Sequence, residues 1–150
     1  MEQKRKLIPP VYFFLTLVLM AALHWTLPLA HIISLPWSRI GIVLIAVGSV
    51  LGGHAFRGFG KAGTPVIPFE RSTALVTTGS YRVSRNPMYL GMVVILTGVA
   101  LLFGTLSPWL PIPAFALFIQ ANFITGEERF LEEIFGQQYL AYKRRVRRWL

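Results

Sequence analysis

The chain of 150 residues contains no cysteine, which excludes disulfides, thiolate metal ligands, cysteine nucleophiles and palmitoyl anchors. Charge is scarce too: 14% of residues are charged, where a soluble domain carries about 25%. Acids are the rarer sign, with 6 against 15 Lys and Arg, and the net charge is +9. The 3 histidines, His24, His31 and His54, are scattered and do not have the spacing of a metal site. No internal repeat is visible. Hydrophobic residues, by contrast, make up 54% of the chain, and mean hydropathy is +0.56. Such a composition places most of the chain in lipid.

A helix that crosses the hydrocarbon core needs about 20 mostly apolar residues. Four segments meet this requirement, at about 9–29, 40–56, 87–103 and 108–125. The first follows a basic flank and lacks a small-residue cleavage site, so it reads as a retained span and not as a signal peptide. The second carries Gly41, Gly48, Gly52 and Gly53, small residues that let helices approach closely in the bundle interior. "GTLSP" between the last two segments is a tight turn, which predicts an antiparallel hairpin. The expected fold is therefore all-α and integral to the membrane, one domain over residues 1–150. About four transmembrane helices are joined to a cytoplasmic loop at 57–86 and a C-terminal interfacial segment at 126–150.

The basic residues orient these spans. With the N-terminus in the cytoplasm, 14 of the 15 Lys and Arg residues fall on the cytoplasmic side, leaving Arg39 outside, as the positive-inside rule requires. Both termini are then cytoplasmic, and the expected location is a bacterial or archaeal inner membrane. The charges sit in blocks between apolar runs, a pattern that fits anionic headgroups of the bilayer. It excludes nucleic acid as a partner. Loops this long in so small a protein are usually functional or disordered, and their apolar content favours folded ones.

Two constellations could carry chemistry. In "TALVTTGSYRVSRNPMYLG" an apolar, strand-like piece leads through a glycine turn to Asn86, a natural N-cap, and to Pro87, well placed in a first helical turn. A plain reading exists: the Asn-Pro pair opens a helix, and Arg82 and Arg85 touch phosphate headgroups. In "TGEERFLEEIFGQQYLAYKRRVRRWL" the pair Glu127 and Glu128 stands where the fourth span leaves the bilayer, and ionisable groups at that depth are a functional hypothesis by default. The plain reading there is ordinary charge pairing on a helix, where Glu128 and Arg129 have i, i+4 neighbours in Glu132 and Glu133. The apolar stripe Leu131, Phe135, Tyr139, Tyr142, Val146, Trp149 suggests a helix lying on the inner leaflet, bent at Gly136.

Taken together and in order, these two stretches resemble the isoprenylcysteine carboxyl methyltransferase family and its relatives, which include phosphatidylethanolamine N-methyltransferases. The shared pattern is a glycine turn, Tyr, Arg-His-Pro-x-Tyr-x-Gly, then Glu-Glu and Phe-Gly-x-x-Tyr-x-x-Tyr, and it covers roughly residues 56–150. The resemblance implies S-adenosylmethionine as cofactor at the cytoplasmic face and a lipid or other lipophilic small-molecule acceptor reached from the bilayer. By the same resemblance Thr73, Ala74, Leu75 and Val76 border the cofactor. Tyr81, Asn86, Pro87, Met88 and Tyr89 complete its pocket, and Glu127 binds its ammonium. Arg85 or free N–H groups at the start of the third span would suit its carboxylate. Tyr89 and Glu128 are the candidate catalytic residues.

The sequence departs from the family pattern twice. Asn86 stands where the family has histidine, and asparagine does not exchange protons near pH 7. Phe123 stands where prenylcysteine methyltransferases have an arginine for the substrate carboxylate, which weakens the case for an anionic acceptor. Two other functions fit the same residues. Sterol-type membrane reductases of the same superfamily carry a similar Arg-x-Pro-x-Tyr segment and use NADPH, whose phosphates would meet Arg82, Arg85 and Lys61. A non-catalytic membrane scaffold would use the Glu and Arg residues for topology alone.

Overall fold

The computed structural model describes residues 8–63 and 74–150, and among them it is all helical, without a strand. Helix α1 spans Pro9–Thr26, α2 Ile40–Ala62 and α3 Pro87–Phe103. Then come α4 Pro111–Ile119, a π-turn at Gln120–Ile124, α5 Thr125–Phe135 and α6 Gln137–Arg145. Prolines sit in the first turns of α1, α3 and α4, where a missing N–H costs nothing and the fixed φ is already helical.

Among the described residues three helices are long and apolar enough to cross a membrane: Pro9–Thr26, Trp37–Ala62 and the continuous run Ser107–Phe135. Helix α3 is apolar but has 17 residues, which makes it about 25 Å long. The ends differ from the sequence reading for local reasons. Helix α1 stops at Thr26, before the expected 29, because a residue preceding proline is pushed out of the helical region. Leu27, before Pro28, duly has φ −144°. Helix α2 runs past 56 to Ala62 and ends on Gly63 at φ +62°, a left-handed stop that glycine makes without strain. The fourth helix does not end near 125. It passes through the π-turn to Phe135, and the break comes at Gly136, at φ +49° and ψ −122°.

The closest packing in the molecule joins α2 and α3, which run antiparallel. A Cβ at Gly41 would lie 2.3 Å from the Gly98 carbonyl oxygen, and one at Gly48 2.6 Å from that of Gly91. The reverse contacts are as tight, at 2.6 Å from Gly98 to Gly41 and 2.7 Å from Gly91 to Gly48. No other residue type fits at these four positions. Gly41 and Gly48 therefore serve as the sequence predicts, whereas a Cβ at Gly52 or Gly53 would meet nothing within 4 Å.

Two cores follow from this frame. The larger lies between α1, α3 and α4 and contains Met20, Tyr89, Leu96, Ala100, Ile112, Phe115, Ile119 and Phe123. The smaller is built of Ala55, Tyr81, Tyr139 and Tyr142, with Leu75, Val76, Met88, Leu131, Phe135 and Val146 against it. The stripe read as facing lipid thus packs largely on the protein. Its two tyrosines are 1% and 4% exposed, because α6 folds back under the residue 79–86 segment. Residues 74–78 form no ladder either, and Leu75 and Val76 reach the same core as single side chains.

Gly48→Leu is expected to force α2 and α3 apart and to lower stability by more than about 1–3 kcal/mol, the usual range for overpacking. Gly52→Ala is expected to be neutral or mildly stabilising, since it trades backbone freedom for a methyl group in open space. Thermal unfolding of both variants in detergent distinguishes these outcomes.

Candidate functional site

The segment before α3 is fixed by its glycine. Gly79 has φ +62°, and a Cβ there would fall 2.5 Å from the His54 ring. His54 Nδ1 in turn lies 2.8 Å from Ser80 Oγ. This contact seats the turn Gly79–Arg82 on α2 and buries Tyr81. The Tyr81 ring meets Phe59 edge to face, with centroids 5.6 Å apart. Tyr142 Oη donates to the Tyr81 carbonyl at 2.7 Å. Burial pushes the Tyr142 hydroxyl up to about 12, against the opposing charge of Arg85, so it stays a donor throughout the physiological range. Burial also raises Tyr81, with Tyr142 and then Glu127 adding to the effect.

One turn into α3, Tyr89 Oη donates to Glu127 Oε1 at 2.7 Å. Among the described residues no cation pairs with Glu127, and Tyr89 is the one side chain that hydrogen-bonds it. Tyr89 belongs to the larger core, Tyr81 and Met88 to the smaller. The half-buried Glu127 carboxylate therefore stands at the junction of the two.

Its neighbour Glu128 is in the opposite situation. Glu128 is 5% exposed and accepts from Arg85 Nε at 3.3 Å and Nη2 at 2.9 Å. It also accepts from Arg148 Nε at 3.1 Å and Nη2 at 2.8 Å. Two guanidinium forks around one carboxylate make strong, geometrically specific bonds. Hydrogen bonding to Glu128 holds Arg148 above its usual value. Arg85 is committed beyond this pair, since its Nη1 donates to the Lys143 and Val146 carbonyls at 3.0 and 3.1 Å.

The sequence-predicted residues thus separate into two groups. Leu75, Val76, Tyr81 and Met88 meet in the smaller core, Tyr89 of the larger core bonds Glu127, and Ala74 is half-buried. Thr73 lies outside the described residues. Arg85 is not free for a ligand carboxylate, and Glu128 faces two arginines and not an open space. Asn86 holds the N-cap position but makes no capping bond. Its Nδ2 donates to the Arg148 carbonyl at 3.1 Å, while Pro87 beside it is buried. Glu128 and Glu132, i, i+4 neighbours of like charge, each bond a more distant cation: Glu128 the two arginines, and Glu132 Lys143 at 3.1 Å.

Sequence reasoning missed Arg148, which lies in a basic run where headgroup contact is the ordinary expectation, and Gln120, whose Oε1 accepts from Trp149 Nε1 at 2.8 Å. Neither residue has a local signal, because each partner is far away in sequence. The π-turn between α4 and α5 is a device found frequently at functional sites. It too is silent in the residue pattern.

Known proteins are similar to this chain in sequence and in fold. The family model described as phospholipid methyltransferase matches residues 37–138. Protein-S-isoprenylcysteine O-methyltransferase A of Arabidopsis thaliana is 33% identical over 114 residues, which is 73% of this chain and 56% of that protein. An uncharacterized protein of Haemophilus influenzae is 43% identical over 63 residues, 42% of this chain and 100% of the relative. The eukaryotic intramembrane Ras methyltransferase ICMT (isoprenylcysteine carboxyl methyltransferase) has a similar structure, with TM-score 0.69 at 25% identity. The likeness covers 100% of this chain and 53% of that one. The chain therefore spans little more than half the length of the plant relative and of the solved structure. With more than half of its length matched by the family model and a helical frame able to cross a bilayer, the chain is an integral membrane protein and belongs to the phospholipid methyltransferase family.

Proposed function

We propose that the protein transfers a methyl group from S-adenosylmethionine to a lipophilic acceptor in the membrane, with both termini and the site at the cytoplasmic face. One observation carries the reading: among the described residues Glu127 is a half-buried carboxylate with a phenol for a partner and no cation, while the carboxylate beside it holds two. A carboxylate left in that state suits an incoming ammonium. The chemistry of the surrounding groups also fits the cofactor. The faces of Tyr81 and Tyr89 suit a sulfonium cation, and Leu75, Val76 and Met88 offer apolar surface to a purine.

When bound, S-adenosylmethionine supplies an electrophilic methyl group on sulfur. The protein's part is to bind, orient and exclude water, which contributes most when two reactants are held close and aligned. Glu127 holds the ammonium and Tyr89 fixes the Glu127 carboxylate. Glu128 is an anchor in this reading, not a proton carrier, because its oxygens are occupied by Arg85 and Arg148. Asn86 carries no proton either. The cofactor carboxylate is left to groups other than Arg85.

The acceptor side is apolar. Phe123 is 2% exposed and packs edge to face on Tyr12, with centroids 5.9 Å apart. A neutral or lipid-like acceptor suits this wall better than an anionic one.

Glu127→Gln is expected to weaken binding of S-adenosylhomocysteine by about 1.5–3 kcal/mol, the range for a charge-assisted hydrogen bond, with thermal stability little changed. Calorimetric titration in detergent measures this directly, and unchanged affinity would remove Glu127 from the site. The same titration with NADPH is expected to show no saturable binding; a saturable response would favour the reductase reading. For the acceptor, methylation of lipid extracts with labelled cofactor is expected to exceed turnover of prenylcysteine analogues. Efficient methylation of the latter would overturn the assignment to a neutral acceptor.

A further inference from the structure

Helix α6 ends at Arg145, and Val146 turns the chain into an extended path at φ −122° and ψ 132°. The next three residues make contacts out of proportion to their number. The Arg147 carbonyl accepts from Arg85 N at 2.9 Å. The Arg148 carbonyl accepts from Ser84 Oγ and Asn86 Nδ2, both at 3.1 Å. The Arg148 guanidinium grips Glu128. Trp149 bonds Gln120 in the π-turn and packs against the larger core.

A basic run beside a bilayer is ordinarily explained by headgroups, and exposed Arg144, Arg145 and Arg147 fit that account. Arg148 does not. Its side chain is 35% exposed, and its charge is turned inward onto a carboxylate that is 6% exposed. Glu128 already has Arg85, so a second guanidinium is not needed to offset its charge. The second fork adds orientation, because Arg148 spans both carboxylate oxygens whereas Arg85 bonds Oε1 alone. Asn86 lies three residues before Tyr89, Glu128 adjoins Glu127, and Gln120 opens the π-turn that sets the rotation of α5. One short segment is thus bonded next to each part of the Tyr89–Glu127 pair. Binding sites need their groups held within about 0.5 Å and 10–20°.

We propose that residues 147–149 are a positioning strap that holds Glu127 against Tyr89, with Asn86 as the anchor of its backbone and Arg148 as its grip. The strap rests on the reading of Glu127 as the ammonium ligand. Asn86 then has a defined task that histidine chemistry does not describe: its amide ties the strap to the start of α3.

The test is titration of the full chain in detergent with S-adenosylhomocysteine, with thermal unfolding recorded for each variant. Arg148→Ala is expected to weaken binding about tenfold, near the lower end of what one charge-assisted hydrogen bond supplies. Arg148→Lys is expected to recover part of this, and Arg144→Ala to match wild type. Asn86→Ala removes one hydrogen bond and is expected to weaken binding several-fold with the fold intact, so it carries the test if Arg148→Ala unfolds. A cycle with Glu127→Gln separates positioning from general bracing. If the strap acts through Glu127, adding Arg148→Ala to Glu127→Gln costs little further affinity. Fully additive losses, or wild-type affinity in both Arg148→Ala and Asn86→Ala, would overturn the strap while leaving the cofactor reading intact. Failure of the wild-type chain to bind S-adenosylhomocysteine would overturn both.

Discussion

A carboxylate buried among aromatic rings at the end of a membrane helix is costly unless cations reach it, and removing one partner of such a group leaves a charge the interior cannot accommodate. Glu128 is that carboxylate here. Two guanidiniums meet on it, Arg85 from the start of α3 and Arg148 from beyond α6, residues 43 and 20 positions away in the chain. The two elements that bear them are thereby pulled onto α5. Much of the surrounding architecture can be read as the means of delivering those two side chains. Gly79 lets the preceding turn lie flat on α2, Tyr142 holds that turn from the other side, and Gly136 reverses the chain so that α6 returns toward α3.

The division of labour between adjacent glutamates follows from helix geometry. Consecutive residues on a helix point about 100° apart, so Glu127 and Glu128 face different surroundings although they share a backbone. One meets two guanidiniums and is fully engaged. The other meets a phenol at the seam of two cores and keeps capacity to accept. A single dipeptide thus supplies both a structural fastening and a second carboxylate with a phenol for its partner.

Much of the helical frame was legible because it depends on local rules: apolar runs, prolines at helix starts, glycines where backbones touch. The Glu-Glu pair and the glycine turn were legible for the same reason. What was not legible depended on distant partners. Arg85 reads equally well as a headgroup contact, a ligand contact or a fastening until Lys143 and Val146 are found at its other amino group. The stripe from Leu131 to Val146 has the period of an amphipathic helix, and periodicity does not say whether lipid or protein covers the apolar side. Asn86 occupies the N-cap position that local rules assign to it, yet its amide is spent on Arg148, 62 residues away.

The π-turn at Gln120–Ile124 gives this helix one residue more than regular α geometry would use over the same rise. That surplus works as a phase setting. Were the same residues wound as a regular α ladder with none removed, everything after the turn would rotate by about 100° about the helix axis. The span would keep its hydropathy, its length and its apolar faces, and by every compositional measure would remain a sound membrane helix. Its acidic pair, however, would be aimed away from Tyr89 and the arginines and toward the hydrocarbon. Single-residue length changes in the regular turns at 111–119 are therefore far less interchangeable than the uniform greasiness of the segment suggests, and the tolerance to insertion usual near helix ends does not extend to this one.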